Sequence, residues 1–196
     1  MTEPRVLELG AGYGRLGQYV LDRHPGARLT VSDVNPGVVT RLREGPLGHH
    51  PRARCEVLDA TSVDAPDGAY DLAVLTMSLH HLEPAGVAAL LREGTRVART
   101  LLIVDGWRNP AYLAVVPMWC LLGGPALVHD GVISLRKLYG PAAVHALAAR
   151  CGAPMRVRTR FVLPGYLVAT ATRESPPPEP EPGITVETHP LNGPDR

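Results

Sequence analysis

The sequence predicts a doubly wound α/β domain: a mostly parallel, seven-stranded sheet with a C-terminal antiparallel hairpin and helices on both faces. Three observations predict it. The apolar run Val6-Leu7-Glu8-Leu9 ends in Gly10, Gly12 and Gly14 and passes straight into an amphipathic segment. That is the pattern of a buried strand, a tight turn and a helix start. Strand and helix patterns then alternate as far as Asp105, which calls for parallel strands joined by helical crossovers. Two alternating runs on either side of Leu163-Pro164-Gly165 read as a closing hairpin.

Taken in order, residues 5–10 form the first strand and roughly 14–23 the first helix, with Leu16, Tyr19 and Val20 on its inner face. His24-Pro25-Gly26 stops that helix, because proline disfavours helical geometry at the residue before it. The second strand is Arg28 to Asp33. Asn35-Pro36 opens the next helix, asparagine as N-cap and proline at the first helical position. Arg52 to Leu58 is the third strand, with Ala53, Cys55 and Val57 alternating against Arg52, Arg54 and Glu56. Tyr70 to Thr76 is the fourth, apolar enough to be central. Pro84 starts a helix running to about Val97, and Thr100 to Asp105 is a fifth, buried strand.

Residues 107–140 break the pattern. Positions 110–128 are strongly apolar but interrupted by Pro117, Gly123, Gly124 and Pro125, too short and too broken for a membrane span. The segment reads as helical pieces capping the sheet, with an interfacial, lipid-facing patch as the lesser alternative. His129-Asp130-Gly131 is a turn, and Ser134 to Tyr139 a short helical turn. Pro141 begins the last helix, to about Arg150, and Met155–Phe161 with Tyr166–Thr172 form the hairpin. The division expected is a domain at 1–173 with a cap at about 107–140, and a disordered proline- and glutamate-rich tail at 174–196.

A chain of 196 residues buries a substantial core as one domain. A net charge of +1 makes no broad electrostatic case for nucleic acid or acidic lipid. Cys55, Cys120 and Cys151 are an odd, scattered set that fits reduced thiols in a cytoplasmic protein rather than a disulfide framework. No Cys/His spacing suggests zinc, and no metal is expected. The chain enters a core strand after four residues, so no signal peptide is read.

Closely spaced glycines let the main chain take positive φ and let a ligand lie against it. They also aim helix N-terminal amides at an anionic group. A dinucleotide site needs Gly-x-Gly-x-x-Gly, and Gly12, Gly14 and Gly17 supply that frame, so a nicotinamide cofactor stays open on glycines alone. Against it stands the acid at the strand end followed by three alternating glycines: Glu8-x-Gly10-x-Gly12-x-Gly14. Acids also stand near the ends of the other strands at Asp33, Asp59 and Asp105, where such sheets bind ligands. Asp105 is read equally as ligand contact or helix cap.

Glu-x-Gly-x-Gly-x-Gly resembles the first motif of the class I S-adenosylmethionine-dependent methyltransferases, and the resemblance spans about residues 5–172. It implies that Glu8, Gly10, Gly12 and Gly14, with Ala11 and Tyr13 in the same loop, hold the methionine part of S-adenosylmethionine. It implies that Asp33, with Val34 beside it, takes both ribose hydroxyls, a bidentate role suited to two acceptor oxygens. Asp59 and Ala60 match the pair that reads the adenine edge, and Thr76 and Met77 match the strand end facing the methionine amino group.

Amino methyltransferases of nucleic-acid bases carry an Asn/Asp-Pro-Pro-aromatic motif after the fourth strand. Here Thr76-Met77-Ser78-Leu79-His80-His81-Leu82 resembles the small-molecule branch instead, and O-methylation is favoured. His80 or His81 is the expected base, because an oxygen acceptor gains when its proton is removed and histidine is suited to that near neutral pH. The bland alternative is that one histidine caps the following helix while the other packs. His129, with Asp130, is a second candidate, and histidines with acids leave a divalent-metal site as a lesser option. Trp107, Tyr112 and Trp119 either line an aromatic acceptor site or pack in the core. Relatives usually carry helices ahead of the first strand. Here Met1 to Pro4 stand alone, so the cover comes from 107–140, from a homodimer or partner subunit, or the pocket is open. The rival functions are a non-catalytic cofactor-binding partner subunit and an NAD(P)-dependent reductase, the latter lacking a Tyr-x-x-x-Lys pair at Tyr139.

Overall fold

The computed structural model describes residues 3–108 and 137–174. Seven strands lie in the order β3-β2-β1-β4-β5-β7-β6. They are β1 (Arg5–Leu9), β2 (Arg28–Asp33), β3 (Ala53–Val57), β4 (Tyr70–Thr76), β5 (Ala98–Gly106), β6 (Met155–Val162) and β7 (Tyr166–Arg173). The first five are parallel, and β7 enters antiparallel between β5 and β6. The chain runs outward from β1 to β3 and then returns to place β4 on the other side of β1. The reversal opens a crevice above the carboxyl ends of β1 and β4.

Among the described residues four helices cover the sheet: α1 (Arg15–Arg23), α2 (Pro36–Glu44), α3 (Pro84–Val97) and α4 (Pro141–Arg150). On the α1/α2 face, Leu21, Val39 and Leu42 pack against Val6, Leu29, Val31 and Val74 of the sheet. On the α3/α4 face, Val87, Leu90, Leu91 and Val144 pack on Leu7, Leu9, Leu75, Leu101, Ile103 and Leu167. Each fully buried side chain of this size contributes roughly 1.5–3 kcal/mol. The helix starts follow the local chemistry. Asn35 accepts from the Gly37 amide at 2.9 Å as N-cap of α2, and proline opens α2, α3 and α4.

Two expectations need correction. Tyr19 is exposed, not on the inner face of α1; Gly17 and Leu21 are the buried positions. The helix starts from Gly14 in the left-handed region (φ 71°); Gly14 lies against Leu42 and Leu47, and Gly17 lies over Glu8, Leu29 and Val31 of the sheet. Helix and strand do not alternate throughout: residues 58–69 between β3 and β4 contain no helix. Turn formers (Asp59, Ser62, Pro66, Asp67, Gly68) crowd that stretch, leaving the polar faces of β2 and β3 open around Thr30 and Arg54. After β4 the chain makes a 3-10 turn at Leu79–His81. The expected cap at 110–128, the turn at His129, Tyr112, Trp119, Cys120 and the tail from Ser175 lie outside the described residues.

Candidate functional site

The carboxyl ends of five strands are stitched together by short contacts. The Ala11 amide donates to the Ser32 carbonyl at 2.9 Å. The Gly12 amide donates to Asp33 Oδ2 at 3.1 Å, while the Asn35 amide donates to Oδ1 at 2.9 Å. Leu58 N donates to the Asp33 carbonyl, and Met77 N to the Val104 carbonyl at 2.8 Å. With Leu9 of β1 paired to Leu75 of β4, these contacts bring the strand ends from β3 to β5 side by side.

The glycine loop needs its glycines for different reasons. Gly10, Gly12 and Gly14 all have positive φ, at 64°, 55° and 71°. A Cβ on Gly14 would come within 2.4 Å of Leu47 Cδ1, and one on Gly10 within 3.0 Å of Ser78 Oγ. At Gly12 nothing lies within 4 Å of that position, so there the main chain itself is presented to whatever occupies the crevice. Tyr13, Val34 and Met77 stand exposed around it. Met77 holds φ 51°, an uncommon conformation for a side chain of its size.

Asp33 keeps acceptor capacity beyond its two backbone bonds, since a carboxylate has about four lone-pair sites. Asp59 bonds the Thr61 amide and hydroxyl through Oδ1 at 2.8 and 2.7 Å. Its side chain is exposed next to half-buried Ala60. Glu8 is buried beneath the first turns of α1, and its Oε2 has no hydrogen-bond partner. Burial pushes its pKa up to about 7, the Gly17 amide pulling the other way. Gly17 leaves the room Glu8 occupies, for a Cβ there would sit 2.8 Å from Oε2.

His80 and His81 part company. His81 is exposed, and its pKa is lowered, first by the desolvation it does undergo and then by the neighbouring His80 ring, 4.2 Å away between centroids. His80 is buried against Asp105. Its ring Nδ1 lies 2.8 Å from Asp105 Oδ1, and its amide donates to Oδ2 at 2.9 Å. The Gly106 amide donates to Oδ1 at 2.7 Å. Asp105, left open by the sequence between ligand contact and helix cap, accepts the His80 amide in the first turn of the 3-10 helix Leu79–His81 and fixes the orientation of the His80 ring. A carboxylate buried in the apolar strand Leu101-Leu102-Ile103-Val104 is the one signal that could have found this, since such a group demands a partner. Trp107 packs edge-on against Phe161 at 5.1 Å and joins the α3/α4 core. Among the described residues no group of three or more His, Cys, Asp or Glu is placed to hold a metal ion. None of the described helices is long and apolar enough to cross a membrane.

Fold and rim together define the doubly wound α/β class that takes its ligand above the strand ends, at the reversal of strand order. A family profile described as a methyltransferase domain matches residues 6–100. The malonyl-[acyl-carrier protein] O-methyltransferase of Geobacter sulfurreducens is 35% identical over 147 residues, covering 74% of this chain and 47% of that protein. The chain thus spans about half the length of that curated relative. An S-adenosylmethionine-dependent methyltransferase from Aquifex aeolicus superposes with a TM-score of 0.62 at 20% identity, covering 87% of this chain and 82% of that one. Human N-acetylserotonin methyltransferase, solved in complex with S-adenosylmethionine, gives 0.63 at 19% identity over 88% and 48% of the two chains. This chain belongs to the class I S-adenosylmethionine-dependent methyltransferases. With that assignment the reductase reading of Gly12, Gly14 and Gly17 falls away.

The residues present fit the family's cofactor. The loop offers bare main chain at Gly12, an acid with spare acceptors at Asp33, an exposed apolar rim, and an orphaned buried carboxyl oxygen at Glu8.

Proposed function

We propose that this protein transfers a methyl group from S-adenosylmethionine to an oxygen atom of a small molecule, and that His80 is the base. The single observation that carries the second half is the buried His80–Asp105 pair, at the same end of the sheet as the glycine loop. When bound, the cofactor supplies an electrophilic methyl group on its sulfonium. Glu8 and the Gly10–Gly14 loop would hold its amino-acid end, with Thr76 and Met77 opposite. Asp33 and Val34 would take the ribose, and Asp59 and Ala60 the adenine edge.

What remains for the protein is alignment and one proton. Holding an acceptor oxygen in line at about 3–3.5 Å recovers much of the barrier as orientational entropy. Asp105 accepts from Nδ1, so the proton sits on that nitrogen and the lone pair is left on Nε2 of His80. That is the form able to take a proton from an acceptor hydroxyl. His81, exposed and without such a partner, lacks this orientation. The relative from Geobacter is named as an O-methyltransferase of a carrier-bound acyl group, so acyl thioesters belong among the acceptors to screen beside phenols and hydroxylated natural products.

The experiment is an acceptor screen read by mass spectrometry for the gain of one methylene, repeated with His80→Ala and His81→Ala. With the accepted substrate, His80→Ala lowers kcat about 100-fold or more, in the range of general-base loss, while cofactor affinity stays within about twofold. His81→Ala leaves kcat within a few-fold. Equal losses in the two variants, or a methylated nitrogen or carbon in the product, would overturn this reading.

A further inference from the structure

The connection between β3 and β4 carries no helix, and the sheet face it leaves open is basic. Arg5 of β1 stands in register with Arg28 of β2, and Thr30 of β2 with Arg54 of β3. Alternate residues of a strand share a face, so Arg5, Arg28, Thr30 and Arg54 lie together. Leu29 and Val31 take the opposite face, with Leu21, Val39 and Leu42 of α1 and α2. The four residues line a groove of about 310 Å³ at the amino ends of the strands, together with Arg52 and Tyr70. No carboxylate is among the residues that line it. Edge strands carry charged side chains that repel foreign strands, which accounts for Arg54. It does not account for Arg5 and Arg28, because β1 and β2 lie inside the sheet, where like charges side by side repel.

Only part of this donor set is used within the chain. Arg52 is committed: its guanidinium donates to the carbonyls of Leu21, His24 and Ala27 at 2.9, 3.0 and 2.9 Å, at the C-terminal end of α1. Arg5 is partly committed, with Nη2 donating to the Gly68 carbonyl at 3.2 Å and Nε 3.9 Å from Asp71. Arg28 gives only Nε, to Glu3 at 2.7 Å, and keeps both terminal nitrogens. Arg54 is exposed and pairs with nothing among the described residues, so its whole fork is free. Thr30 Oγ1 accepts from the Tyr70 hydroxyl at 3.4 Å and has its own hydrogen to give. A guanidinium fork takes phosphate oxygens two at a time, and a phosphate has enough oxygens for two forks and a hydroxyl where a carboxylate does not. We propose that the groove binds a phosphate monoester, held by Arg54 and the terminal nitrogens of Arg28. Arg5 adds charge, Thr30 adds a hydrogen bond, and the Tyr70 ring offers the organic part a flat wall. The site stands apart from the methyl-transfer reading. Arg5 and Leu9 are the two ends of β1, about 13 Å apart at the usual strand rise. The groove and the glycine loop therefore sit at opposite ends of one strand, and a ligand in one leaves the other open.

The test is titration calorimetry with phenyl phosphate, inorganic phosphate and benzoate at about pH 8, where a phosphate monoester is a dianion. Ionic strength is held fixed, so that screening is the same throughout. The proteins are wild type, Arg54→Ala and Arg158→Ala, the last removing an equally exposed and unpaired arginine on β6, at the far edge of the sheet. Neither arginine makes a bond within the described residues, so both variants keep the fold. Wild type is expected to bind both phosphates saturably, with benzoate at least about tenfold weaker than phenyl phosphate. Arg54→Ala weakens phenyl phosphate about tenfold or more, as loss of charge-assisted bonds requires, while Arg158→Ala stays within about twofold of wild type. Saturating S-adenosylhomocysteine leaves the phenyl phosphate Kd unchanged. Failure of phenyl phosphate to saturate, benzoate binding as tightly, equal losses in the two variants, or displacement by S-adenosylhomocysteine would each overturn the site.

Discussion

Replacing Asp105 by alanine takes one carboxylate away from three donors at once: the His80 amide at 2.9 Å, His80 Nδ1 at 2.8 Å and the Gly106 amide at 2.7 Å. The two His80 donors are buried and cannot recover water. Each buried donor left unpaired costs about 1–3 kcal/mol. Part of that sum is offset, because the variant no longer has to desolvate a carboxylate. For the two donors together, less that saving, the net loss is about 2–4 kcal/mol. At about 2–4 °C per kcal/mol for a chain of this length, Tm drops by roughly 4–16 °C. Asp105→Asn keeps one carbonyl acceptor and loses less stability, about 1–2 kcal/mol. Its amide group presents donors to Nδ1, so kcat suffers more than the fold does. Urea unfolding followed by circular dichroism measures both variants, and a cycle with His80→Ala measures the pair. A coupling above about 1 kcal/mol is expected for residues in direct contact. A loss below about 1 kcal/mol in Asp105→Ala, or strict additivity in the cycle, would refute the reasoning, since donors that matter cannot be orphaned without cost.

Other perturbations separate structure from binding. Gly14→Ala meets both a positive φ and Leu47 and Leu42 at 2.4 and 2.7 Å, so denaturation should show a loss of about 2–4 kcal/mol. Gly12→Ala has open space, so it loses only about 1 kcal/mol from backbone conformation while calorimetry finds much weaker cofactor binding; equal stability losses at the two glycines would contradict the contrast. Asp33→Ala weakens S-adenosylhomocysteine binding by about 1.5–3 kcal/mol, and an unchanged Kd would mean that Asp33 only braces Gly12 and Asn35. For Glu8 the folded pKa, about 7, lies above its ordinary value of 4.5. The native state therefore binds more protons than the unfolded chain between those values, and stability falls as pH rises through them. The full cost above pH 7 is about 3 kcal/mol. Urea midpoints should show Glu8→Gln gaining on wild type between pH 5 and pH 8, and a pH-independent difference would sink the assignment.

Local chemistry was the legible part of this fold. Asn35-Pro36 and Pro84 start helices for reasons confined to a few neighbouring residues, and the apolar run at Tyr70–Thr76 does occupy the middle of the sheet. The phase of α1 was harder. Leu16, Tyr19 and Val20 make a plausible apolar stripe, but Gly17 and Leu21 are the positions buried against the sheet. That choice depends on Glu8, whose carboxyl fills the place of a side chain at position 17. The two histidines were likewise undecidable by adjacency. Only Asp105, 25 residues away in sequence and one strand across, determines which ring turns inward. The missing helix between β3 and β4 had its signal in the turn formers from Asp59 to Gly68, which the regular alternation before and after made easy to pass over.

The position of β7 also bears on how the molecule is made. This strand is encoded after all the others yet sits between β5 and β6, its residues paired along Ala98–Gly106 on one side and Met155–Val162 on the other. During synthesis β5 must wait with one backbone edge unsatisfied until residues near 173 clear the ribosome, and such an edge recruits foreign strands. A nascent chain arrested before Tyr166 would hold a five-stranded parallel half with a sticky flank, so production is most sensitive to crowding and temperature in the last moments of translation.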